Sequence, residues 1–216
     1  MRKDKLQAVI FDFDGTIADT EAFYADNFSD TMKENGIVID EEDRIVTLGF
    51  GPYDKVEMME KKYHVKLDAE AITLSFRKKN AERFPEDASS LLFDDVKEAL
   101  EYCRSRKLKL YICSNTDSEK VEKIVKQMGI FGYFDGIIGK DISGARKPSS
   151  IPYLYIAEHY HYDAEEILAI EDSKSGVQSA TGAGVRTAGL YRVKEADLGE
   201  TDFPITSLKE LKEIIE

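Results

Sequence analysis

The stretch AVIFDFDGT, residues 8–16, joins a short apolar run to a polar turn that contains two aspartates and a glycine. Four consecutive apolar residues are typical of a strand that is buried on both faces, as in a parallel sheet. Asp12, Asp14 and Gly15 then indicate a loop at the carboxyl end of that strand. Ligands bind beyond the carboxyl ends of strands in open parallel sheets, so this loop is the first candidate for a functional site.

The sequence shows different patterns before and after residue 86. Helical periodicity without a convincing strand begins at Thr20 and predicts a small helical bundle, with helices near 21–35, 52–63 and 68–83. Strands and helices then alternate, with strands expected at 108–113, 136–139, 167–170 and 187–190. This alternation predicts right-handed βαβ units and a parallel sheet that the first strand joins. The sequence therefore predicts an α/β fold in which residues 20–86 are inserted after strand 1 into a unit formed by residues 1–19 and 87–216.

The charge balance limits the expected partners. With 42 acidic and 30 basic residues, the chain carries a formal net charge of −12. Nucleic acids and anionic membranes require a basic surface, so neither is expected to bind. The sequence has no signal-peptide pattern and no run near the roughly 18 apolar residues of a membrane span. Its two cysteines, Cys103 and Cys113, fit a reducing compartment. We therefore expect a cytoplasmic protein. The sequence leaves the oligomeric state open, and we favour a monomer.

Polar side chains follow four of the expected strands, at one edge of the predicted sheet. They are Asp12 and Asp14, Ser114 and Asn115, Lys147, and Glu171 and Asp172. Buried carboxylates are costly without partners, so a cluster of this kind implies a bound cation. Mg²⁺ prefers a few carboxylate oxygens as ligands, and Asp12 and Asp172 are the expected pair.

Phosphoryl transfer from a phosphate monoester is the chemistry that requires this set of side chains. Asp12 is the candidate nucleophile, which would form an aspartyl-phosphate. The Lys147 ammonium and the Ser114 hydroxyl can neutralise and hydrogen-bond the oxygens of the transferring group. Asp14, two residues further on, is the candidate acid that protonates the leaving oxygen and then activates water.

Four segments, in this order, resemble the motifs of the haloacid dehalogenase superfamily. They are DFDGTIADT at residues 12–20, Ser114-Asn115, Lys147-Pro148, and Glu171-Asp172-Ser173 with Gly176-Val177. The resemblance spans residues 8–191 and implies a Rossmann-like core that binds Mg²⁺. It also implies that the helical insertion between the first two motifs is a cap domain.

The resemblance assigns a role to each residue of the site. It implies that Asp12 is the nucleophile, and that Asp14 is the acid–base residue and also contacts the metal through its backbone carbonyl. It adds Glu171 to Asp12 and Asp172 as a further candidate metal ligand. The residues expected to bind the phosphate are Ser114, Asn115 and Lys147.

The similarity is greatest to the group that contains β-phosphoglucomutase and small sugar-phosphate phosphatases. It implies a Mg²⁺-dependent phosphatase acting on a small phosphorylated metabolite, foremost a sugar phosphate, with a phosphosugar mutase as the alternative. The mutases carry a cap-loop arginine for the distal phosphate, but residues 49–55, GFGPYDK, have none. Lys55 could take the place of that arginine, but we expect it to be solvent-exposed. Glu21, Tyr24 and Asn27 open the cap as candidate substrate contacts, although solvated cap residues would give the same pattern.

A signalling receiver domain is a second functional class that fits part of the pattern, since it too places acidic residues, a hydroxyl and a lysine around a phosphorylated aspartate. A receiver has no need of an acid such as Asp14, and it would not carry a helical insertion directly after strand 1. Both features favour an enzyme. A binding protein that has lost catalysis is a third class, but every side chain that the chemistry requires is present.

Overall fold

The computed structural model describes residues 6–47, 50–193 and 196–215 of the chain. The chain divides into two compact units. One is formed by the segment up to Asp19 together with the segment from Asp87 onward, and the other is Thr20–Glu86. The loop predicted at residues 49–55 lies only in part within the described residues, because Gly49 is outside them.

The first unit is built on one parallel sheet of six strands. The strands are β1 Ala8–Phe11, β2 Lys109–Cys113, β3 Gly136–Ile138, β4 Ile167–Glu171, β5 Arg186–Leu190 and β6 Phe203–Ile205. Their order is β3-β2-β1-β4-β5-β6, and each neighbouring pair is parallel. The predicted α/β fold with a parallel sheet is therefore confirmed. Strand β6 was not predicted, because Pro204 removes a ladder donor and such a strand is tolerated only at an edge of the sheet, where β6 lies.

The position of β1 explains why the site forms at its carboxyl end. All four residues of β1 are fully buried, and the strand pairs with β2 on one side and with β4 on the other. Phe11 is in register with Ile112 and with Ile170, so β2 and β4 each end one residue beyond the end of β1. Strands β2 and β3 lie on one side of β1, and the chain then crosses to the other side of β1 to form β4. The topological switch point is therefore between β1 and β4, and such a point opens a crevice for a ligand.

The described residues of the two units contain ten α-helices in total. They are α1 Glu21–Glu34, α2 Glu41–Val46, α3 Pro52–Tyr63, α4 Ala69–Arg83, α5 Val96–Ser105, α6 Ser118–Gln127, α7 Lys140–Ser143, α8 Ile151–Tyr160, α9 Lys174–Gly182 and α10 Leu211–Ile215. Helices α2, α7 and α10 were not predicted, since six residues or fewer give too short a window for a 3.6-residue period. No helix in the described ranges combines the length and the apolar character that a bilayer crossing requires.

The second unit, Thr20–Glu86, consists of α1 to α4 around a small apolar core. Phe28 of α1 meets Phe76 of α4 edge to face, with ring centroids 5.7 Å apart. The other buried members of this core are Met32, Ile37, Val56, Met59 and Ile72. Because helices of 6 to 15 residues are marginal alone, this shared core is what holds them together.

Two expectations for this unit need correction. Lys55 was expected to be solvent-exposed but is only 5% exposed, because α3 places it beside Val56 on the inner face of the helix. Burial lowers the pKa of Lys55, and the charge of Glu21 opposes that shift. Asn27 was expected to face a substrate or solvent, but it is buried and donates a hydrogen bond to Asn80 Oδ1 at 2.8 Å. Arg83 donates a further hydrogen bond to Asn27 at 3.0 Å.

A partly buried ion pair in the first unit connects its C-terminal segment to the first loop. Both terminal nitrogens of Arg192 donate to Asp95, at 2.9 and 2.8 Å, and one of them also donates to the Thr16 carbonyl at 3.0 Å. Asp95 also accepts hydrogen bonds from the Ser207 hydroxyl at 2.8 Å and the Leu208 N–H at 2.9 Å. Burial opposes ionisation of Asp95, but these donors outweigh it and hold the pKa of Asp95 below its usual value.

Replacing Asp95 with Asn is expected to lower the free energy of unfolding at neutral pH by about 2 kcal/mol, because Arg192 keeps its partly buried charge without a countercharge. A group with a lowered folded-state pKa stabilises above its unfolded pKa of about 3.9, and this stabilisation is lost as the pH falls through the folded-state value. Urea unfolding across a pH series should therefore show the two proteins converging below about pH 4.

The matched control is Glu98→Gln in the first turn of α5, the helix that Asp95 precedes, where the carboxylate pairs with Lys212 in an exposed position. Exposed pairs contribute little, so this variant should unfold like the wild type. An Asp95→Asn protein as stable as the wild type at neutral pH would show that the ion pair does not hold the C-terminal segment.

Candidate active site

Asp12 lies directly after β1, at the centre of the sheet edge. Its N–H donates to the Ile170 carbonyl at 2.9 Å, which continues the pairing of β1 with β4 by one residue. The side chain is therefore placed beside the end of β4, where Glu171 and Asp172 follow. Asp12 is 8% exposed, so its carboxylate is mostly buried but keeps an opening to solvent.

The Lys147 ammonium is buried among three oxygen acceptors. Its Nζ donates to Asp12 Oδ1 at 2.5 Å, to Glu171 Oε1 at 2.5 Å and to the Cys113 carbonyl at 2.7 Å. An ammonium group has three donors, and all three are satisfied here. Burial lowers the pKa of Lys147, but the charges of Asp12 and Glu171 outweigh it and hold that pKa above its usual value, so the group stays charged.

Glu171 is fully buried at the end of β4, and its two oxygens have different surroundings. Oε1 accepts hydrogen bonds from Lys147 and from the Tyr153 hydroxyl of α8. Oε2 is buried and has no hydrogen-bond partner. An unsatisfied buried carboxylate oxygen is costly, so this atom marks a place where a cation would stabilise the site.

The same edge holds more negative charge than the lysine neutralises. Asp12, Glu171 and Asp172 each offer a carboxylate oxygen, and these oxygens lie within 4.8 Å of one another. Burial raises the pKa of Asp12 to about 8, with the Glu171 charge adding to the rise and Lys147 opposing it. A hard divalent cation prefers this type of oxygen donor and would favour the ionised form of Asp12, so the residues fit such an ion.

Two glycines make room for these carboxylates. Gly15 has a φ of +82°, and a Cβ built on it would overlap Oδ2 of Asp172. A Cβ on Gly176, in the first turn of α9, would overlap Oε2 of Glu171. The Thr16 hydroxyl also donates to Asp172 Oδ1 at 3.2 Å, so the turn after Asp12 both approaches and orients Asp172.

The loop after β2 contacts both Lys147 and Asp14. The Asn115 side chain accepts a hydrogen bond from the Lys147 N–H at 2.8 Å and donates to its carbonyl at 3.3 Å. The Ser114 hydroxyl accepts the Thr116 N–H at 2.9 Å, and the Thr116 hydroxyl donates to Asp14 Oδ2 at 2.9 Å. Asn115 thus fastens the backbone of Lys147, while Thr116 contacts the candidate acid.

The structure brings most of the expected core residues to one edge. Asp12, Lys147, Glu171 and Asp172 form one cluster, and Asp14, Ser114 and Asn115 lie on the loops beside it. Glu21 and Tyr24, the expected substrate contacts, belong to α1 in the other unit, and their role stays a prediction.

No individual role was predicted for Thr16, which lies in the segment at residues 12–20, or for Thr116 and Tyr153. Thr116 stands two residues after Ser114 in the same loop, which was an available signal. Tyr153 was not recognisable, since an aromatic residue on a helix is indistinguishable from ordinary core.

Comparison with known proteins identifies relatives of the whole chain. The model of the haloacid dehalogenase-like hydrolase family matches residues 9–190. A phosphorylated carbohydrates phosphatase of Thermotoga maritima is 28% identical over 182 residues, which cover 83% of this chain and 82% of the relative. A phosphoglycolate phosphatase of Aquifex aeolicus is 27% identical over 213 residues, covering 98% and 97%. The structure of a β-phosphoglucomutase of Clostridium difficile superposes with a TM-score of 0.74 over 97% of each chain at 20% identity, which shows a shared fold.

These relatives, together with the fold, define the class of the protein as a phosphatase, a hydrolase. The family model covers most of the chain, and the chain belongs to the haloacid dehalogenase-like hydrolase family. This confirms the resemblance to the haloacid dehalogenase superfamily that the four sequence segments indicated.

Replacing Gly15 with Ala is expected to lower phosphatase activity about 100-fold or more, because the new methyl group displaces the Asp172 carboxylate from the site. Gly129→Ala is the matched control in the same unit, since Gly129 also has a positive φ, +69°, but has no atom near its Cβ position. Both variants carry the backbone strain of a left-handed alanine, and only the first should lose activity in steady-state assays with 4-nitrophenyl phosphate. Equal activities of the two variants would contradict the proposed fit between Gly15 and Asp172.

Proposed function

We propose that the protein hydrolyses small phosphate monoesters through an aspartyl-phosphate on Asp12, with Mg²⁺ as cofactor. The observation that carries this proposal is the buried arrangement of Asp12, Lys147, Glu171 and Asp172 at the carboxyl edge of the sheet. A structural salt bridge would need one carboxylate per lysine, whereas this edge has an excess of carboxylates and an unsatisfied oxygen. The excess is what a site for a cation and a phosphoryl group requires.

In the first step, a carboxylate oxygen of Asp12 attacks phosphorus, and the bond from phosphorus to the ester oxygen breaks. Lys147 fixes the Asp12 carboxylate through Oδ1, so the nucleophile is oriented before the substrate binds. The same ammonium and the Ser114 hydroxyl would stabilise the charge on the phosphoryl oxygens. The product of this step is an acyl phosphate on Asp12 and a free alcohol.

Asp14 is the proposed general acid of the first step and the general base of the second. It gives its proton to the leaving ester oxygen as the first step breaks the ester bond. It then takes a proton from water, whose oxygen attacks phosphorus, and this step releases inorganic phosphate and restores Asp12. Asp14 is half-buried on the loop beside Asp12, so it can reach a substrate and a water molecule.

The candidate metal ligands are the carboxylates of Asp12 and Asp172 and the backbone carbonyl of Asp14, with Glu171 as a further candidate. Mg²⁺ is proposed because a few carboxylate oxygens are the ligands that it prefers. A bound divalent ion would offset the negative charge of the nucleophile and of the phosphate, which otherwise repel each other. The protein supplies the position of these ligands through β1, β4 and the glycines beside them.

The substrate is proposed to be a small phosphorylated metabolite, foremost a sugar phosphate. The relatives named above act on phosphorylated carbohydrates and on phosphoglycolate, which supports this class. Glu21, Tyr24 and the described part of the loop at residues 50–55 are the candidate positions for selecting the substrate. The net charge of −12 disfavours nucleic acid, and a monomer is proposed because the reaction requires no second copy.

A phosphosugar mutase is the less supported alternative. It needs a basic side chain in the cap that binds a second phosphate, and Lys55, the one basic residue of 50–55, is packed against the cap core. Its Nζ lies 5.9 Å from the centroid of the Phe28 ring. A hydrolase does not need such a group, so the phosphatase proposal is retained.

Replacing Asp12 with Asn should reduce the hydrolysis of 4-nitrophenyl phosphate by at least about 1,000-fold, because the amide is a poor nucleophile. Asp94→Asn, at an exposed position of the same unit, is the matched control and should keep the wild-type rate. Substantial turnover by the Asp12→Asn protein would reject the proposed nucleophile.

Removal of divalent metal with EDTA should abolish activity, and Mg²⁺ should restore it. Mg²⁺ should also raise the thermal unfolding temperature of the wild type, because a ligand that binds the folded state stabilises it. The Asp172→Asn protein should show a much smaller rise at the same Mg²⁺ concentration. An equal rise in both proteins would place the ion elsewhere, and full activity in EDTA would remove the metal from the proposal.

A further inference from the structure

We propose that Thr116 is a positioning residue that holds Asp14 for proton transfer to the leaving group. The inference rests on the acid–base role of Asp14 in the proposed function and goes beyond it, since Thr116 belongs to none of the four segments on which that proposal depends. Its basis is the hydrogen bond from the Thr116 hydroxyl to Asp14 Oδ2, 2.9 Å long, between residues 102 positions apart in the sequence.

Thr116 can act as a support because its own position is fixed. Its N–H donates to the Ser114 hydroxyl at 2.9 Å. Its carbonyl lies so close to Gly139 that a Cβ on that glycine would overlap it. The Gly139 N–H in turn donates to the Ser118 hydroxyl at 2.8 Å, and Asp141 accepts from the backbone and side chain of Ser118 at 2.8 and 2.9 Å. The loop that carries Thr116 is therefore fastened to the segment after β3.

Asp14 is also held from its own side. The Gly15 N–H donates to the Ala18 carbonyl at 2.8 Å, which closes the turn that follows Asp14. The turn fixes the backbone, but it leaves the orientation of the carboxyl group to side-chain contacts. The Thr116 hydroxyl donates to Oδ2 and therefore constrains the orientation of this carboxyl group.

The hydrogen bond has a predictable effect on the reaction. As the ester bond breaks, the proton of Asp14 moves to the leaving oxygen, and Asp14 becomes a carboxylate. A hydrogen bond to a charged acceptor is about twice as strong as one to a neutral acceptor. The Thr116 hydroxyl keeps its own proton throughout, and its bond strengthens while the carboxylate forms. It therefore stabilises the transition state in proportion to the extent of proton transfer.

This account predicts that the effect of Thr116 depends on the leaving group. A basic leaving group needs the proton of Asp14, and a weakly basic one departs without it. Phenyl phosphate and 4-nitrophenyl phosphate have similar shapes, but phenolate is far more basic than 4-nitrophenolate. The comparison uses kcat/KM, because this parameter includes only the steps through the departure of the leaving group. Hydrolysis of the aspartyl-phosphate, which both substrates share, does not enter it.

The variants are Thr116→Val and Thr116→Ala, which remove the hydroxyl, and Thr116→Ser, which keeps it. Thr181→Val is the matched control, since the Thr181 hydroxyl donates only to backbone carbonyls of its own helix, α9. With phenyl phosphate, kcat/KM should fall about 10-fold to 100-fold in the variants without the hydroxyl. With 4-nitrophenyl phosphate it should fall less than about threefold, and the Ser variant should stay close to the wild type on both substrates.

A double substitution tests whether Thr116 acts through Asp14. In an Asp14→Asn background the acid is already absent, so adding Thr116→Val should change kcat/KM for phenyl phosphate little further. Full additivity of the two substitutions would show that Thr116 acts elsewhere. Far-ultraviolet circular dichroism of each variant identifies any that fails to fold, in which case the second variant without the hydroxyl is used.

Other outcomes separate this inference from the proposed function. Equal losses on both substrates, no loss on either, or failure of Thr116→Ser to retain the rate would each overturn the role of the hydroxyl while leaving the phosphatase proposal intact. A wild-type protein that hydrolyses neither ester in Mg²⁺ would overturn the proposed function itself.

Discussion

The site depends on one buried cation, the ammonium of Lys147. This group joins the ends of three neighbouring strands, because its acceptors are Asp12 after β1, Cys113 at the end of β2 and Glu171 at the end of β4. A buried charge of either sign is unfavourable alone, but here the ammonium of Lys147 has two carboxylates and a carbonyl as hydrogen-bond acceptors. Because the lysine is supplied by the segment after β3, the cluster at the carboxyl edge combines residues from four separate parts of the chain.

The lysine neutralises only part of the charge around it. Two carboxylates contact it, Asp172 stands within reach of both, and one oxygen of Glu171 has no partner. The excess of carboxylates fits into the fold because Gly15 and Gly176 have no Cβ atom, which would overlap Asp172 and Glu171, respectively. Such an arrangement is costly unless a cation and a phosphoryl group complete it, and it therefore favours function over stability.

Those parts of the fold and site that are encoded by local sequence could be predicted. The four apolar residues before Asp12 identify a central strand, and parallel topology then brings Lys147 to Asp12 across 135 positions. Contacts between loops could not be predicted in this way. The hydrogen bond from Thr116 to Asp14 depends on the relative positions of two loops that are distant in the sequence. Tyr153 belongs to the buried core and also donates a hydrogen bond to Glu171, and its sequence context indicates only the first of these. The exposure of Lys55 was predicted wrongly, because the seven residues of the loop sequence do not show which face of α3 is buried. Strand β6 was not predicted, because a proline is unusual in a strand and Pro204 therefore argued against one.

The central claim is that the phosphoryl group passes through Asp12, and trapping the intermediate tests it most directly. The wild-type protein would be mixed with substrate carrying ³²P in the phosphoryl group, quenched in acid within milliseconds, digested and mapped by mass spectrometry. The account predicts label on the peptide containing Asp12, at an acyl phosphate that hydroxylamine releases, and no label in the Asp12→Asn protein. Label on another residue, or complete turnover of substrate with no labelled protein at any quench time, would contradict it.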